Sequence, residues 1–183
     1  MIVVPTSLDG LFEIASAPIA DNRGRFTRLF CEDELATIRP SIHFTQINLS
    51  ETTRAGTVRG LHYQKPPAAE AKLIRCLRGR VFDVAVDLRA GSATFLLWHA
   101  VELSGENGKS IFIPEGFAHG FQALSDDVQL LYMHTTAWTP ANEAGILHDD
   151  LMISIPWPLA VTSISEKDRC YKPIDPSYGG VHP

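Results

Sequence analysis

Two short segments contain the residues whose types and spacing could carry chemistry. The first reads Thr-Val-Arg-Gly-Leu-His-Tyr-Gln over residues 57–64, and the second reads Ile-Pro-Glu-Gly-Phe-Ala-His-Gly-Phe over residues 113–121. Each places one histidine, His62 or His119, shortly after a glycine in β-type sequence, an arrangement in which a strand can direct a side chain into a concave interior. Two histidines directed into one cavity indicate a site, although a lone histidine is more often a core residue satisfied by a backbone partner.

Arg59, Lys72 and Tyr132 also lie in strand-like sequence, where charge and phenol are costly to bury. Removing a proton beside a ketone requires a base, a group that stabilises the enolate oxygen, and an acid for the opposite face. His62, Lys72 and Tyr132 supply one of each, because a histidine is largely unprotonated near neutral pH and a tyrosine holds its proton until a carbanion takes it. The alternatives are a solvated strand lysine and an ordinary core tyrosine.

A metal site is the second possibility that paired histidines raise. The spacing of the two segments resembles the two motifs of the cupin superfamily of jelly-roll barrels, whose metal-binding members place a second histidine two positions after the first. Gln64 occupies that position here, and Glu70 falls later than the cupin pattern expects. A transition metal ion takes three or four such ligands, so His62 and His119 alone are one or two short. We therefore expect no metal.

Composition limits the remaining classes of function. At 183 residues with 45% hydrophobic residues, the chain is long enough for one domain with a real core. The net charge of −5 and the lack of a Lys/Arg cluster argue against a nucleic-acid partner. No apolar stretch approaches membrane-spanning length and no signal sequence is visible, which predicts a soluble, cytoplasmic protein. Cys31, Cys76 and Cys170 are scattered, which indicates idle thiols.

The pattern along the chain is that of short strands between turns. Asp-Asn-Arg-Gly at residues 21–24 predicts a turn between two strands, and residues 32–38 predict one short helix that ends before Pro40. Residues 81–88 alternate strongly, and the acids on one face of this predicted strand, Asp83 and Asp87, indicate a face that is wet or lines a site. The further predicted strands are 43–48, 72–77, 94–103, 110–113, 120–124 and 128–135.

Many short strands with few helices predict an all-β fold, a cupin-like jelly-roll barrel of antiparallel strands with a few short helices. We expect a single jelly-roll domain over residues 1–183, with an N-terminal hairpin arm. The tail, residues 172–183, is rich in proline and glycine. It predicts an extended C-terminal arm of the kind that packs on a neighbouring subunit.

Several motifs taken together resemble the dTDP-4-dehydrorhamnose 3,5-epimerase family, because their order and spacing match over about residues 10–170. The motifs are Asp21-Xaa-Arg-Gly-Xaa-Phe26, Arg59-Gly-Leu-His-Tyr-Gln64, Lys72, the strand 81–89, the segment 113–121, Leu131-Tyr132 and Ser165-Glu-Lys-Asp168. The resemblance implies a dimeric jelly roll without a cofactor. It also implies inversion of one or two carbons beside the C4 ketone of a nucleotide-linked 4-keto-6-deoxyhexose.

The same resemblance assigns roles to individual residues. The implied catalytic residues are His62 as base, Asp168 as its partner, Lys72 and Tyr132; a helix-start acid is the alternative for Asp168. The resemblance places the remaining positions around the substrate, with some of them contributed by the adjacent subunit. These implied substrate-binding residues are Arg23, Phe26, Gln46, Asn48, Arg59, His119, Trp138 and Glu143. The structural alternatives are a turn arginine for Arg23, a core phenylalanine for Phe26, hydrogen-bonded strand amides for Gln46 and Asn48, and an exposed loop acid for Glu143.

The sequence departs from the family pattern in two places. Arg28 stands where many members have glutamate, which affects recognition of the nucleotide's base. Residues 133–138 read Met-His-Thr-Thr-Ala-Trp where Lys-Thr-Thr-Asp-Tyr-Tyr is common, which alters a wall near the sugar. The sequence leaves two other functions open. One is a metal-dependent cupin enzyme such as a sugar isomerase or dioxygenase, and the other is a jelly roll that binds a sugar nucleotide without converting it.

Overall fold

A computed structural model describes residues 1–183 as two antiparallel sheets that pack face to face, with one small extra hairpin. The strands are β1 (Ile2–Pro5), β2 (Phe12–Ala15), β3 (Ile19–Asp21), β4 (Gly24–Phe26), β5 (Gln46–Thr52), β6 (Val58–Gln64), β7 (Lys72–Arg78), β8 (Arg80–Asp87), β9 (Trp98–Ser104), β10 (Lys109–Ile113), β11 (Phe117–Ala123), β12 (Val128–His134) and β13 (Glu143–Gly145). The strand order is β1-β2-β10-β7-β12-β5 in the six-stranded sheet and β13-β6-β11-β8-β9 in the five-stranded sheet, while β3 and β4 pair only with each other.

Helices are short and lie outside the sheets. They are α1 (Glu32–Leu35), α2 (Glu166–Arg169) and one 3-10 turn (Pro140–Asn142). The predicted all-β, cupin-like jelly roll is confirmed. The strand predicted over 94–103 begins only at Trp98, because residues 94–97 form a turn that contributes a hydroxyl to Asp87. The strand predicted at 43–48 is also displaced, and runs over Gln46–Thr52. No helix in the chain has the length and apolar composition that a membrane crossing requires.

Alternation along the strands divides the hydrophobic residues among three cores. Inward-facing residues such as Ile74, Leu103, Phe121 and Leu130 form a fifteen-residue cluster between the sheets. A second cluster covers the outer face of the five-stranded sheet, with side chains from the segment after residue 145, and a third lies under α1 on the outer face of the six-stranded sheet. Because successive side chains of a strand point to opposite faces, polar residues in register with the central cluster must face the interior between the sheets.

The acidic face of β8 is not wet, contrary to one of the two alternatives that the sequence left open. Asp83 and Asp87 are both fully buried and point between the sheets. Asp83 accepts a hydrogen bond from His119, whereas Asp87 binds the guanidinium of Arg89 at 2.8 and 2.9 Å. Buried carboxylates require partners of this kind. Asp83 therefore belongs to the neighbourhood of the site, and Asp87 anchors a loop.

The two histidine segments contain Gly60 and Gly120 where their strands approach each other closely. A Cβ on Gly60 would lie 2.6 Å from Gly120 Cα, and one on Gly120 would lie 2.7 Å from Arg59 O. Strands β6 and β11 therefore approach closely at an irregularity in their register, which falls between His119 and Phe121. Such bulges redirect side chains. Here the irregularity sits directly beside the pair that His62 and His119 form across the two strands.

The two arms behave differently from one another. The N-terminal hairpin of β3 and β4 is exposed along its whole length. The C-terminal tail, expected to serve a neighbouring subunit, packs on its own chain: Val181 pairs with Arg89, and Ile174 is buried with its N–H donated to Asp150. The tail carries apolar residues at these two points, and burying them on the nearby five-stranded sheet removes them from water.

All three cysteines are free thiols.

Candidate active site

A cavity of about 260 Å³ opens at one end of the space between the sheets. The strands that line it carry polar residues in the same inward rows that hold the central core further along, so that Lys72 continues the row of Ile74, and Tyr132 that of Leu130. The lining residues are Asn48, Ser50, Arg59, His62, Tyr63, Gln64, Glu70, Lys72, His119, Tyr132, His134, Trp138 and Glu143. Tyr132 and Lys72 belong to the six-stranded sheet, and His62 and His119 to the five-stranded sheet.

His62 is held by a buried carboxylate. Its Nε2 lies 2.7 Å from Asp168 Oδ1, and the other oxygen of Asp168 accepts the N–H of Gly60 at 3.2 Å. Burial raises the pKa of Asp168, but the hydrogen bond and charge of His62 and the Gly60 N–H outweigh it, and the pKa is lowered overall. An ionised carboxylate only accepts, so Nε2 carries the hydrogen and Nδ1 has the free lone pair. Asp168 does lie in α2, yet it bonds His62, as the family resemblance implied.

Lys72 is buried, which excludes the alternative that it is a solvated strand lysine. Its Nζ lies 3.3 Å from the carbonyl oxygen of His62 and 3.2 Å from Glu70 Oε1. Burial raises the pKa of Glu70, while the neighbouring His134 and Lys72 lower it, with a net decrease. A buried ammonium with an ionised partner is therefore fixed beside the strand that carries His62.

Tyr132 packs against the central core and also lines the cavity. Its ring lies edge-on to His119 at 5.7 Å between centroids and parallel to His134 at 6.0 Å. Burial raises the pKa of the Tyr132 phenol well above its usual value. His119, whose Nε2 lies 3.0 Å from Asp83, is buried, and burial lowers its pKa despite the carboxylate. At neutral pH Tyr132 is thus protonated and His119 is neutral.

The rim of the cavity contains most of the remaining predicted residues. Asn48 lies opposite Tyr132 across the β5/β12 pair, and Arg59 donates to Glu51 O at 2.8 Å. Gln46 is just outside the lining and accepts the N–H of Trp138, whose side chain is about half exposed. Glu143, also on the rim, binds Lys167 at 2.7 Å.

Arg23 and Phe26 are not brought to this cavity. Both lie on the exposed β3–β4 hairpin, where Arg23 binds Asp21 in the turn and Phe26 lines a separate hollow with Arg28. Arg28 itself forms an ion pair with Glu34. Within one chain, Arg23 and Phe26 therefore lie outside the cavity that His62 lines.

Sequence reasoning missed several members of the site. His134 and Ser50 follow directly from strand alternation, since they share the inward face of their strands with Tyr132 and Asn48. Glu70 precedes β7 and had no periodic signal of its own. Within the altered segment 133–138, His134 and Trp138 line the cavity, whereas Met133 packs in the outer core under α1. No three His, Cys, Asp or Glu side chains are grouped so that they could hold a metal ion.

Fold and site together define a jelly-roll protein with a cavity lined by titratable side chains and open to solvent. The sequence model of dTDP-4-dehydrorhamnose 3,5-epimerase matches residues 5–175, and the chain belongs to this family. The dTDP-4-dehydrorhamnose 3,5-epimerase of Methanothermobacter thermautotrophicus is 45% identical over 174 residues, which cover 93% of each chain. A dTDP-4-dehydrorhamnose 3-epimerase of Streptomyces niveus is 37% identical over 90% of this chain and 80% of its own.

A solved structure of a relative matches the fold over the whole length of this chain. The dTDP-6-deoxy-D-glucose-3,5-epimerase of Legionella pneumophila, in complex with dTDP-4-keto-L-rhamnose, superposes with a TM-score of 0.91 at 37% identity. The match covers 100% of this chain and 98% of the Legionella chain.

Proposed function

We propose that this protein is a cofactor-independent epimerase that inverts C5, C3 or both in a dTDP-4-keto-6-deoxyhexose, in deoxysugar synthesis of the rhamnose type. The observation that carries the proposal is the placement of a base and an acid on opposite walls of one cavity. His62 projects from the five-stranded sheet and Tyr132 from the six-stranded sheet. Inversion at carbon requires removal of a proton from one face and return of a proton to the other.

The protein side chains can perform the reaction in two steps. Nδ1 of His62 takes the proton from the carbon beside the ketone, and the electron pair moves onto the C4 oxygen. The Lys72 ammonium stabilises that oxygen, and the Asp168 carboxylate stabilises the imidazolium that forms, at the 2.7 Å separation already described. Tyr132, kept protonated by its raised pKa, then donates its proton to the opposite face of the same carbon as the electron pair returns from the C4 oxygen. His62 then releases its proton to water and Tyr132 takes one up, which restores the site.

The substrate exceeds what one cavity can hold. A volume of about 260 Å³ is below the roughly 300–1,000 Å³ typical of sites for drug-sized ligands, so a nucleotide diphosphate extends onto the rim. Arg59, Asn48, Gln46, Glu143 and Trp138 are the rim residues that we assign to it. Arginine suits diphosphate oxygens because its planar fork donates two parallel hydrogen bonds.

We propose further that the protein is a homodimer in the cytoplasm, and that Arg23 and Phe26 serve the partner's cavity. Ile47 and Leu49 on the edge strand β5 are exposed by 60% and 55%, and Phe26 by 72%. An edge strand with exposed apolar residues is a surface that natural proteins cover. Free cysteines agree with a reducing compartment.

The test is proton exchange in heavy water with a dTDP-4-keto-6-deoxyhexose, followed by NMR at C3 and C5. The His62→Ala variant should lose exchange at both carbons while nucleotide binding stays within about tenfold, or 1.4 kcal/mol. The control is His99→Ala, since His99 is also paired with a carboxylate, Glu13, but lies away from the cavity. Full activity of His62→Ala would remove this mechanism.

The same assay separates the two other functions. Activity that chelation removes and one metal ion restores would favour the metal-dependent enzyme. Binding of the nucleotide sugar by the unaltered protein, without any exchange, would favour the binding module.

A further inference from the structure

Glu70 lies between two nitrogen-bearing side chains on the wall of the cavity. Its Oε1 is 3.2 Å from Lys72 Nζ, and its Oε2 is 2.9 Å from His134 Nδ1. The side chain of Glu70 is only 6% exposed, so both of its oxygens depend on these partners. All three residues line the cavity, and the mechanism above uses only the lysine.

The backbone sets this arrangement. His134 and Lys72 are direct partners across the β12/β7 pair, so their side chains share one face of the sheet. The ring of His134 is further fixed by stacking on Tyr132, at an interplanar angle of 11°. Because an ionised carboxylate only accepts, His134 must carry a hydrogen on Nδ1. His134 thus holds one oxygen of Glu70, and the other oxygen is left to face the ammonium.

We propose that Glu70 and His134 are positioning residues that hold the Lys72 ammonium where the enolate oxygen develops. This inference rests on the proposed epimerase function. Lys72 has a long, flexible stem, and its other acceptor is the carbonyl oxygen of His62 at 3.3 Å. Two acceptors at 3.2 and 3.3 Å restrict the ammonium, and a misplacement of about 1 Å can cost about 100-fold in rate.

The chain contains a matched control for the trio. Glu13 likewise joins a lysine and a histidine, with Lys109 Nζ and His99 Nε2 each at 3.0 Å from its carboxylate. That trio lies on β2, β9 and β10, outside the cavity lining. Glu13→Gln therefore breaks the same kind of bridge without touching the site.

The central test compares Glu70→Gln with Glu13→Gln by steady-state kinetics and by exchange in heavy water. Glu70→Gln should lower kcat about 10- to 100-fold with KM within about threefold, since the lysine acts on the developing charge rather than on the bound substrate. Glu13→Gln should leave both constants unchanged. A folded Glu70→Gln protein with unaltered kcat would overturn the inference.

A second comparison asks whether Glu70 acts through Lys72. In a Lys72→Ala background, Glu70→Gln should slow exchange by less than about twofold further, because the group to be positioned is gone. A further loss of fivefold or more would show that Glu70 acts in another way, and would overturn the proposal.

Folding is checked by thermal unfolding of each variant. If Glu70→Gln does not unfold cooperatively, His134→Phe decides, since phenylalanine keeps a flat ring beside Tyr132 but cannot bind Glu70. A fall of about threefold or more in kcat with KM retained supports the inference, and an unchanged kcat refutes it. Absence of exchange in the unaltered protein would instead contradict the epimerase function itself.

Discussion

Replacing Asp168 with asparagine tests the pair on which the proposed base depends. The Asp168 side chain is almost fully buried, with one oxygen on His62 Nε2 and the other on the Gly60 N–H. Asparagine has the same size and can still accept the Gly60 N–H with its carbonyl oxygen. Its NH₂ group then faces Nε2, which must become an acceptor, and the ring proton moves to Nδ1. The nitrogen that should take the substrate proton is thereby blocked.

The size of the effect follows from the 2.7 Å contact. A hydrogen bond to a charged group is worth about 1.5–3 kcal/mol. The attraction between a carboxylate and an imidazolium whose charges are about 4 Å apart is about 4 kcal/mol at an effective dielectric constant of 20, which is an upper bound for a partly exposed histidine. At about 1.4 kcal/mol per tenfold, this range corresponds to a decrease of roughly 10- to 1,000-fold in kcat, and we expect about 100-fold.

The assay is the initial rate of deuterium incorporation at C3 and C5, with protein folding checked by thermal unfolding. The matched control is Asp150→Asn, because Asp150 is also a buried carboxylate that accepts backbone N–H groups, those of Met152 and Ile174, but has no histidine partner. The control should exchange at the rate of the unaltered protein. If folded Asp168→Asn retained a rate within threefold, Asp168 would not support the base.

Four further results are expected. C5 should exchange at least about tenfold faster than C3. Ala137 and Trp138 stand where paired tyrosines are common, which leaves reprotonation to Tyr132 or water, and C5 is favoured because the ordered mechanism that the family resemblance implies begins there. Equal rates by NMR would contradict this, and a C3 preference would make Trp138→Tyr the next variant. Burial raises the pKa of Asp87, but the hydrogen bonds from Arg89 and two hydroxyls lower it to about 2. This carboxylate should therefore stabilise the fold by about 1–2 kcal/mol above pH 4, and the stability should be lost as the pH falls through about 2. In urea unfolding, the free energy of unfolding of Asp87→Asn should fall less steeply with decreasing pH than that of the unaltered protein, and an unchanged dependence on pH would exclude this role. Gly60→Ala should lower the free energy of unfolding by about 1–3 kcal/mol, since the new Cβ would meet Gly120 Cα at 2.6 Å, and a loss below 0.5 kcal/mol in urea would show that the strands can separate there. Light scattering should give the mass of a dimer, and a monomer would remove the proposed role of Phe26 in a shared site.

The sequence determined the fold class because period-two alternation and turn residues are local signals. The strand over Arg80–Asp87 and the short helix beginning at Glu32 are readable from residues next to one another. The strand starting at Trp98 was predicted to begin four residues too early, because the turn before it is fixed by hydrogen bonds to the distant carboxylate of Asp87, which no local pattern reveals.

For the site, the sequence supplied the residue types, and their order matched a family pattern. Tertiary structure decided which of them meet. Asp168 and His62 are 106 residues apart in the chain, and only the docking of α2 against β6 brings them to 2.7 Å. Glu70 belongs to the site because strand pairing sets His134 opposite Lys72. The His134 N–H and the Lys72 ammonium then both require an acceptor, and the Glu70 carboxylate provides it.

The environments of the two acids of β8 and of the two arms also depend on tertiary packing. Alternation placed Asp83 and Asp87 on one face, but whether that face is wet depends on what packs against it, and the second sheet buries it. The sequence alone does not show against which surface the apolar residues of the C-terminal tail pack, because the hydrophobic effect is non-directional. In the fold, Val181 pairs with Arg89 of the same chain, whereas the β3–β4 hairpin is exposed along its whole length.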